Sequence, residues 1–158
     1  QHKLNVMVLC KSSMKKNILL EKNFFMSNKM QNIKFNRLGD NKFKIIDQAE
    51  MTVTLNSTLG YEAFSRGNKV IFFNVYDKKK EYQSANFGWP SHLNRRGFFW
   101  TDDISDKNCK KIFNRVCTLK QKKWKKIFSN YSNKIMVRNS NNKLPNKIIK
   151  THLNNNLL

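Results

Sequence analysis

The chain has 158 residues, enough for one ordinary domain with a real core, and its 39% hydrophobic content with twelve Phe and three Trp excludes a disordered tail. Its 31 Lys and Arg against 10 Asp and Glu give a formal charge of +21, an excess that attracts polyanions or an anionic membrane surface, and that a Lys- and Asn-rich compositional bias explains equally well. The apolar runs are far too short to span a membrane, no signal-peptide pattern is read, and the three cysteines (Cys10, Cys109, Cys117) form no CxxC unit and argue by their odd number against a secreted disulfide scaffold.

In chain order, residues 3–10 (KLNVMVLC) read as a short strand. Residues 16–30 follow as a helix with Ile18, Leu19, Phe24 and Phe25 as its apolar face. Ile33, Phe35 and Leu38 mark a second strand, and Gly39-Asp40-Asn41 a turn. A short helix over 42–49 is expected to pack Phe43, Ile46 and Ala49 inward. Met51–Leu55, rich in Val and Thr, suits a sheet. Thr58–Arg66 reads as a two-turn helix burying Leu59, Ala63 and Phe64, stopped by Gly67-Asn68. Lys69–Asn74 holds the nearly continuous apolar run Val70-Ile71-Phe72-Phe73, the pattern of a parallel strand covered on both faces.

Residues 75–97 are irregular, and Phe98–Trp100 is a short last strand followed by Asp102-Asp103. Residues 105–118 form a helix with Ser105 as cap and Ile112, Phe113 and Val116 inward. Lys120–Ile135 is another, with Trp124, Ile127, Phe128 and Tyr131 on its apolar face. The alternation of strands and helices gives an α/β fold class: a Rossmann-like parallel sheet flanked by helices over residues 1–138, with a polar, poorly ordered tail over 139–158.

The stretch NSTLGYEA after the third strand carries the chemistry. Asn56-Ser57-Thr58 falls at the carboxyl end of a parallel strand, where ligands bind in α/β sheets. A helix starting there offers unpaired backbone N–H groups and a dipole that favour phosphate. Ser57 and Thr58 add hydroxyls, and Glu62, about one turn on, is placed to accept hydrogen bonds from a sugar or ribose diol. The plainer reading makes Ser57 an N-cap and Glu62 a solvated helix residue. Neither a Walker loop nor a dinucleotide fingerprint is present.

Residues 47–74, DQAEMTVTLNSTLGYEAFSRGNKVIFFN, resemble the C-terminal nucleotide-binding domain of GT-B glycosyltransferases, closest to those of bacterial surface-carbohydrate and capsule biosynthesis. The matching positions are Ser57, Thr58, Gly60, Glu62, Ala63, Gly67 and Val70. The resemblance implies that Ser57 and Thr58 hold the donor phosphates and that Glu62 contacts donor hydroxyls. It implies a nucleotide-diphosphate or nucleotide-monophosphate sugar as donor, a glycan or lipid-linked acceptor, no separate cofactor and no bound metal. Where many relatives carry a His-Pro pair, this chain has Cys10-Lys11-Ser12-Ser13; Lys11 offers charge to a phosphate but not a histidine's acid–base role. Such enzymes also need an N-terminal Rossmann domain, for which 158 residues have no room. The chain starts at Gln1 rather than Met, and the expectation is a donor-binding half, inactive alone, with no catalytic residue assigned.

Arg95 and Arg96, beside His92 in the irregular loop, are candidates for a diphosphate clamp, against the plainer reading of a solvated basic loop. Asp102 and Asp103 suit helix capping better than a divalent ion. The run KQKKWKK at 120–126 invites a nucleic-acid or membrane reading, but Trp124 is in phase with the inward residues. The expected location is cytoplasmic, with peripheral contact at the inner membrane face. The competing functions are a basic nucleic-acid-binding protein, an epimerase-like sugar-nucleotide enzyme, and an inactive truncated remnant.

Overall fold

The computed structural model describes residues 4–10, 14–28, 32–55, 57–74, 87–88 and 93–136. The backbone divides into two compact units, Gln1–Ile45 and Ile46–Leu158. The expected tail at 139–158 lies outside the described residues.

In the first unit, β1 (Val6–Val8) pairs in parallel with β2 (Ile33–Phe35), Val6 opposite Ile33 and Val8 opposite Phe35. Between them runs α1 (Lys15–Ser27). Ile18 and Phe25, seven residues apart and so in one helical phase, are half-buried. The Phe25 ring meets Phe35 at 6.1 Å, and Lys22 Nζ lies 5.6 Å from the Phe35 ring centre. Leu19 and Phe24, expected on the same face, are 58% and 65% exposed. They fall out of phase with Ile18 and Phe25, so the helix cannot bury all four. The carboxyl ends of the two strands are pinned by Asn36, whose Oδ1 accepts a hydrogen bond from the Cys10 backbone N–H at 2.9 Å. Lys42 Nζ donates to the Cys10 carbonyl. Burial pushes the Cys10 thiol up, and Glu21 adds to the shift, so the thiol stays protonated and unreactive near neutrality.

Helix α2 (Lys42–Gln48) runs across the boundary between the units. Asn41 Oδ1 accepts from the backbone N–H groups of Phe43 and Lys44 at its start. Only Ile46 is buried; Phe43 is 45% exposed and Ala49 is exposed. The expected three-residue inward face is corrected to one: Ala49 lies beyond the end of the helix at Gln48, and Phe43, in its first turn, stays exposed.

The second unit holds the larger sheet, ordered β3-β4-β5 and wholly parallel: β3 (Thr52–Thr54), β4 (Val70–Phe73) and β5 (Trp100–Thr101). The last strand starts two residues later than expected. Phe98 instead stacks its ring against the Arg115 guanidinium at 5.0 Å, while its carbonyl accepts from Arg115 Nη1 at 3.2 Å. Phe87 and Leu93 form an isolated antiparallel bridge.

Helix α3 (Thr58–Ser65) crosses from β3 to β4, and α4 (Asp106–Cys117) and α5 (Gln121–Ile135) follow β5. Phe72 pairs with Trp100 across the sheet, and the Tyr61 ring of α3 lies 4.9 Å from Phe72. Thr101, one residue on, points to the opposite face, where its Oγ1 accepts from Asn108 of α4 at 2.9 Å. Helices therefore cover both faces, and the fold class is the expected α/β parallel sheet flanked by helices. The core is aromatic. Phe64 stacks on Phe99 at 5.1 Å, Phe87 on Trp100 at 4.8 Å, and Trp124 meets Phe99 at 5.4 Å. Trp124 is fully buried, and its Nε1 donates to the Gly67 carbonyl at 2.9 Å. The lysines of KQKKWKK therefore stay outside while its aromatic turns in.

Candidate site at the carboxyl edge of the larger sheet

Because β3, β4 and β5 are parallel, their carboxyl ends lie along one edge. That edge gathers Ser57 and Thr58 after β3, Asn74 after β4, and Asp102 and Asp103 after β5. With neighbouring strands about 4.8 Å apart, the β3 and β5 ends are separated by roughly 10 Å, the scale of a nucleotide diphosphate.

Helix α3 opens at this edge. Ser57 is its N-cap, with extended backbone at φ −97° and ψ 135°, and it makes no side-chain cap hydrogen bond. Its carbonyl accepts from the Gly60 N–H at 2.9 Å. Ser57 and Thr58 are exposed, and no acidic residue occupies the first turn. The hydroxyls and the leading N–H groups of the helix thus face outward, with no acidic residue in the helix's own first turn.

Gly60 explains why the helix starts so close to the sheet. A Cβ there would sit 2.4 Å from Thr54 Cγ2 and 2.9 Å from Thr54 Oγ1. Only glycine lets α3 rest on β3 at this point, which fixes where its amino end emerges. Glu62 is half-buried. It lies four residues after Thr58, so the two share a helix face.

Asn74 closes the middle of the edge. Its backbone N–H continues the ladder to the Thr101 carbonyl at 2.8 Å. By strand alternation its side chain falls on the face of Val70 and Phe72, the side that α3 covers. It is 2% exposed, and its Oδ1 has no hydrogen-bond partner among the described residues. A buried acceptor without a partner costs about 1–3 kcal/mol. Thr52 Oγ1 is also unpartnered, at the amino end of β3 and away from this edge. Asn74 was not among the residues expected in the site. The signal was available: an asparagine directly after four buried apolar residues, at a strand's carboxyl end.

Arg95 and Arg96 are brought to the β5 end of the same edge by ion pairs. Arg95 Nε meets Asp102 Oδ2 at 2.6 Å, Arg96 Nε meets Asp102 Oδ1 at 3.2 Å, and Arg96 Nη2 lies 3.6 Å from Asp103 Oδ2. Asp102 is 15% exposed, whereas the arginines are 61% and 66% exposed. The anchored acid holds each guanidinium by its Nε. Two carboxylates balance two guanidinia, so the cluster presents directed donors with little net charge. Asp103 Oδ1 accepts from the Ser105 N–H at 3.0 Å, a turn that leads into α4, while Ser105, at the N-cap position as expected, makes no side-chain cap hydrogen bond.

The far end of the motif is structural. Arg66 makes a bidentate pair with Asp47, which raises the guanidinium pKa further above its ordinary value. Asn68 Nδ2 donates to the Ile46 carbonyl at 3.0 Å and to Asp47 Oδ1 at 3.2 Å. Lys11, Asn56 and all three histidines lie outside the described residues.

Among the described residues, no helix is long and apolar enough to cross a membrane. No curated protein and no solved structure matches the chain. A family model described as "putative O-antigen biosynthesis protein" matches residues 1–153, nearly the whole chain, and the chain belongs to this family, whose description ties it to surface-carbohydrate biosynthesis.

Proposed function

We propose that the carboxyl edge of the larger sheet binds a nucleotide sugar, and that the chain is the donor-binding part of a glycosyltransferase-like enzyme of O-antigen biosynthesis. The observation that carries this reading is the open amino end of α3. Ser57 and Thr58 stand exposed there with no cap hydrogen bond, on the same edge as Asn74 after the next strand, whose buried acceptor has no partner among the described residues. The family's description supports the carbohydrate setting.

In this reading the first-turn N–H groups of α3 and the hydroxyls of Ser57 and Thr58 take the donor phosphates. Arg95 and Arg96, held by Asp102, flank the diphosphate from the β5 side. Glu62 and Asn74 Oδ1 accept hydrogen bonds from donor hydroxyls. During transfer, an acceptor hydroxyl attacks the donor sugar carbon and the bond to the phosphate oxygen breaks. The negative charge that develops on the leaving phosphate meets the donors at α3. Acceptor binding and proton removal fall to a partner domain.

Calorimetry on the full chain at fixed salt tests this, titrating sugar nucleotides and inorganic diphosphate in turn. Glu62→Gln is expected to weaken the sugar nucleotide relative to diphosphate, which has no diol. The ratio of the two affinities is the useful quantity, because losing a carboxylate strengthens any nearby anion site. An unchanged ratio in a folded variant removes Glu62 from the site. No binding of any sugar nucleotide by the chain, alone or joined to its partner domain, rejects the reading as a whole.

A further inference from the structure

We infer that α1 is a membrane-surface helix that lies on anionic lipid through its outward arc. That helix has no buried residue along its thirteen. Ile18 and Phe25 face its own unit, yet four large apolar side chains point elsewhere: Leu19, Leu20, Phe24 and Met26 are 58%, 60%, 65% and 64% exposed. Lys15 and Lys16 are exposed among them. The proposal rests on the exposed apolar side chains and not on a sharp division of the helix into two faces: side chains of this size sink past the headgroups, and the neighbouring ammonium groups meet lipid phosphates.

Charge decides between occupants. The first unit holds ten Lys and Arg against two Asp and Glu. A second copy seated on this arc would bring like charge against like charge and is disfavoured. An anionic bilayer satisfies the lysines and the apolar groups together. The alternative membrane contact, the lysine-rich start of α5, lacks the apolar half. Its Trp124 is fully buried and hydrogen-bonded to Gly67, so it offers charge alone. The inference does not rest on donor binding, and either can fail without the other.

The test is flotation of the full chain with vesicles of phosphatidylethanolamine and phosphatidylglycerol, against vesicles of phosphatidylcholine alone. Binding is expected to the anionic vesicles only. Leu20→Ser with Phe24→Ser should weaken it by at least about tenfold at constant salt, since those side chains supply the inserted area. Lys15→Glu with Lys16→Glu should weaken it by a similar factor. A charge-matched control on α5, Lys122→Glu with Lys125→Glu, should weaken it by about threefold or less. All six side chains are exposed, so the variants should keep the wild-type circular dichroism. Binding unaffected by the serine pair, or equally sensitive to the α5 pair, overturns the assignment. So does absence of vesicle binding, including the case where the wild type forms a dimer that the serine pair dissociates; the arc then belongs to a second copy.

Discussion

Both units contain the same local step, a strand, a helix and a second strand paired in parallel, yet they bury very different amounts. In β3–α3–β4, four of the eight residues of α3 are buried: Gly60, Ala63, Phe64 and Ser65. In β1–α1–β2, none of the thirteen residues of α1 is. The difference lies in side-chain size and phase. Small residues at 60 and 63 let α3 sink onto its sheet, and Phe64 then reaches the rings behind it. The apolar residues of α1 spread around the helix, which has no Gly or Ala to permit close approach. Topology alone therefore does not make a core. A helix needs its apolar residues in one phase and a place where its backbone can come near.

The comparison is most easily broken at the cores. Trp124→Ala should cost the second unit about 3–5 kcal/mol, through lost burial, a cavity and the orphaned Gly67 carbonyl. The matching truncation in the first unit, Phe25→Ala, removes a half-buried ring with a neighbour at 6.1 Å and should cost about half as much or less. Hydrogen exchange on each variant, read for the amides of the affected unit, gives both numbers. Equal losses would mean that α1 is held in its unit as firmly as α5 is in the other.

A smaller effect is expected at Gly60. Gly60→Val places carbon against the Thr54 side chain and must lift the start of α3. About 1–3 kcal/mol should be lost in denaturant unfolding. Because the helix end moves, sugar-nucleotide affinity should fall beyond what that unfolding explains. Val at 60 tolerated with full affinity would refute the close-approach account.

Asn74→Leu should go the other way. It removes a buried acceptor that has no partner and keeps the backbone bond to Thr101. Stability should stay level or rise by about 1 kcal/mol, while binding of a sugar nucleotide weakens. A loss of stability with unchanged binding would make Asn74 an ordinary structural residue.

Much of this was legible in the sequence where periodicity and composition agreed. Val70–Phe73 read as a covered parallel strand and is one. Trp124 in phase with Phe128 and Tyr131 read as inward and is fully buried. In helix α1 a run of apolar residues does not make a face: Leu19 and Phe24 are adjacent in sequence to the half-buried Ile18 and Phe25 but not in helical phase. At the site, Ser57 and Thr58 were visible through turn chemistry. Asn74 was missed because a polar residue ending a strand looks like the start of a loop. The ion pairs of Arg95 and Arg96 with Asp102 join residues six and seven apart around a corner that propensity does not describe.

The smallest effect is also the one that separates the two readings of the opening turn of α3. A serine at an N-cap normally accepts a hydrogen bond from the helix's second or third N–H, and replacing it by alanine costs about 1 kcal/mol. Ser57 occupies the cap position with extended backbone but makes no such bond. Its hydroxyl is exposed, so Ser57→Ala should change stability by less than about 0.5 kcal/mol in denaturant unfolding. If that hydroxyl instead serves a donor phosphate, the same substitution should weaken sugar-nucleotide binding by about 1–3 kcal/mol, the range for a hydrogen bond to a charged group. The two measurements move in opposite senses under the two readings. A cap residue loses stability and leaves affinity alone; a ligand residue does the reverse. Thr58→Val is the natural companion, because it keeps the β-branched shape at the next position and removes only the hydroxyl. A stability loss near 1 kcal/mol for Ser57→Ala, with affinity unchanged, would return the turn to plain helix capping and leave the backbone N–H groups as the only phosphate donors at α3.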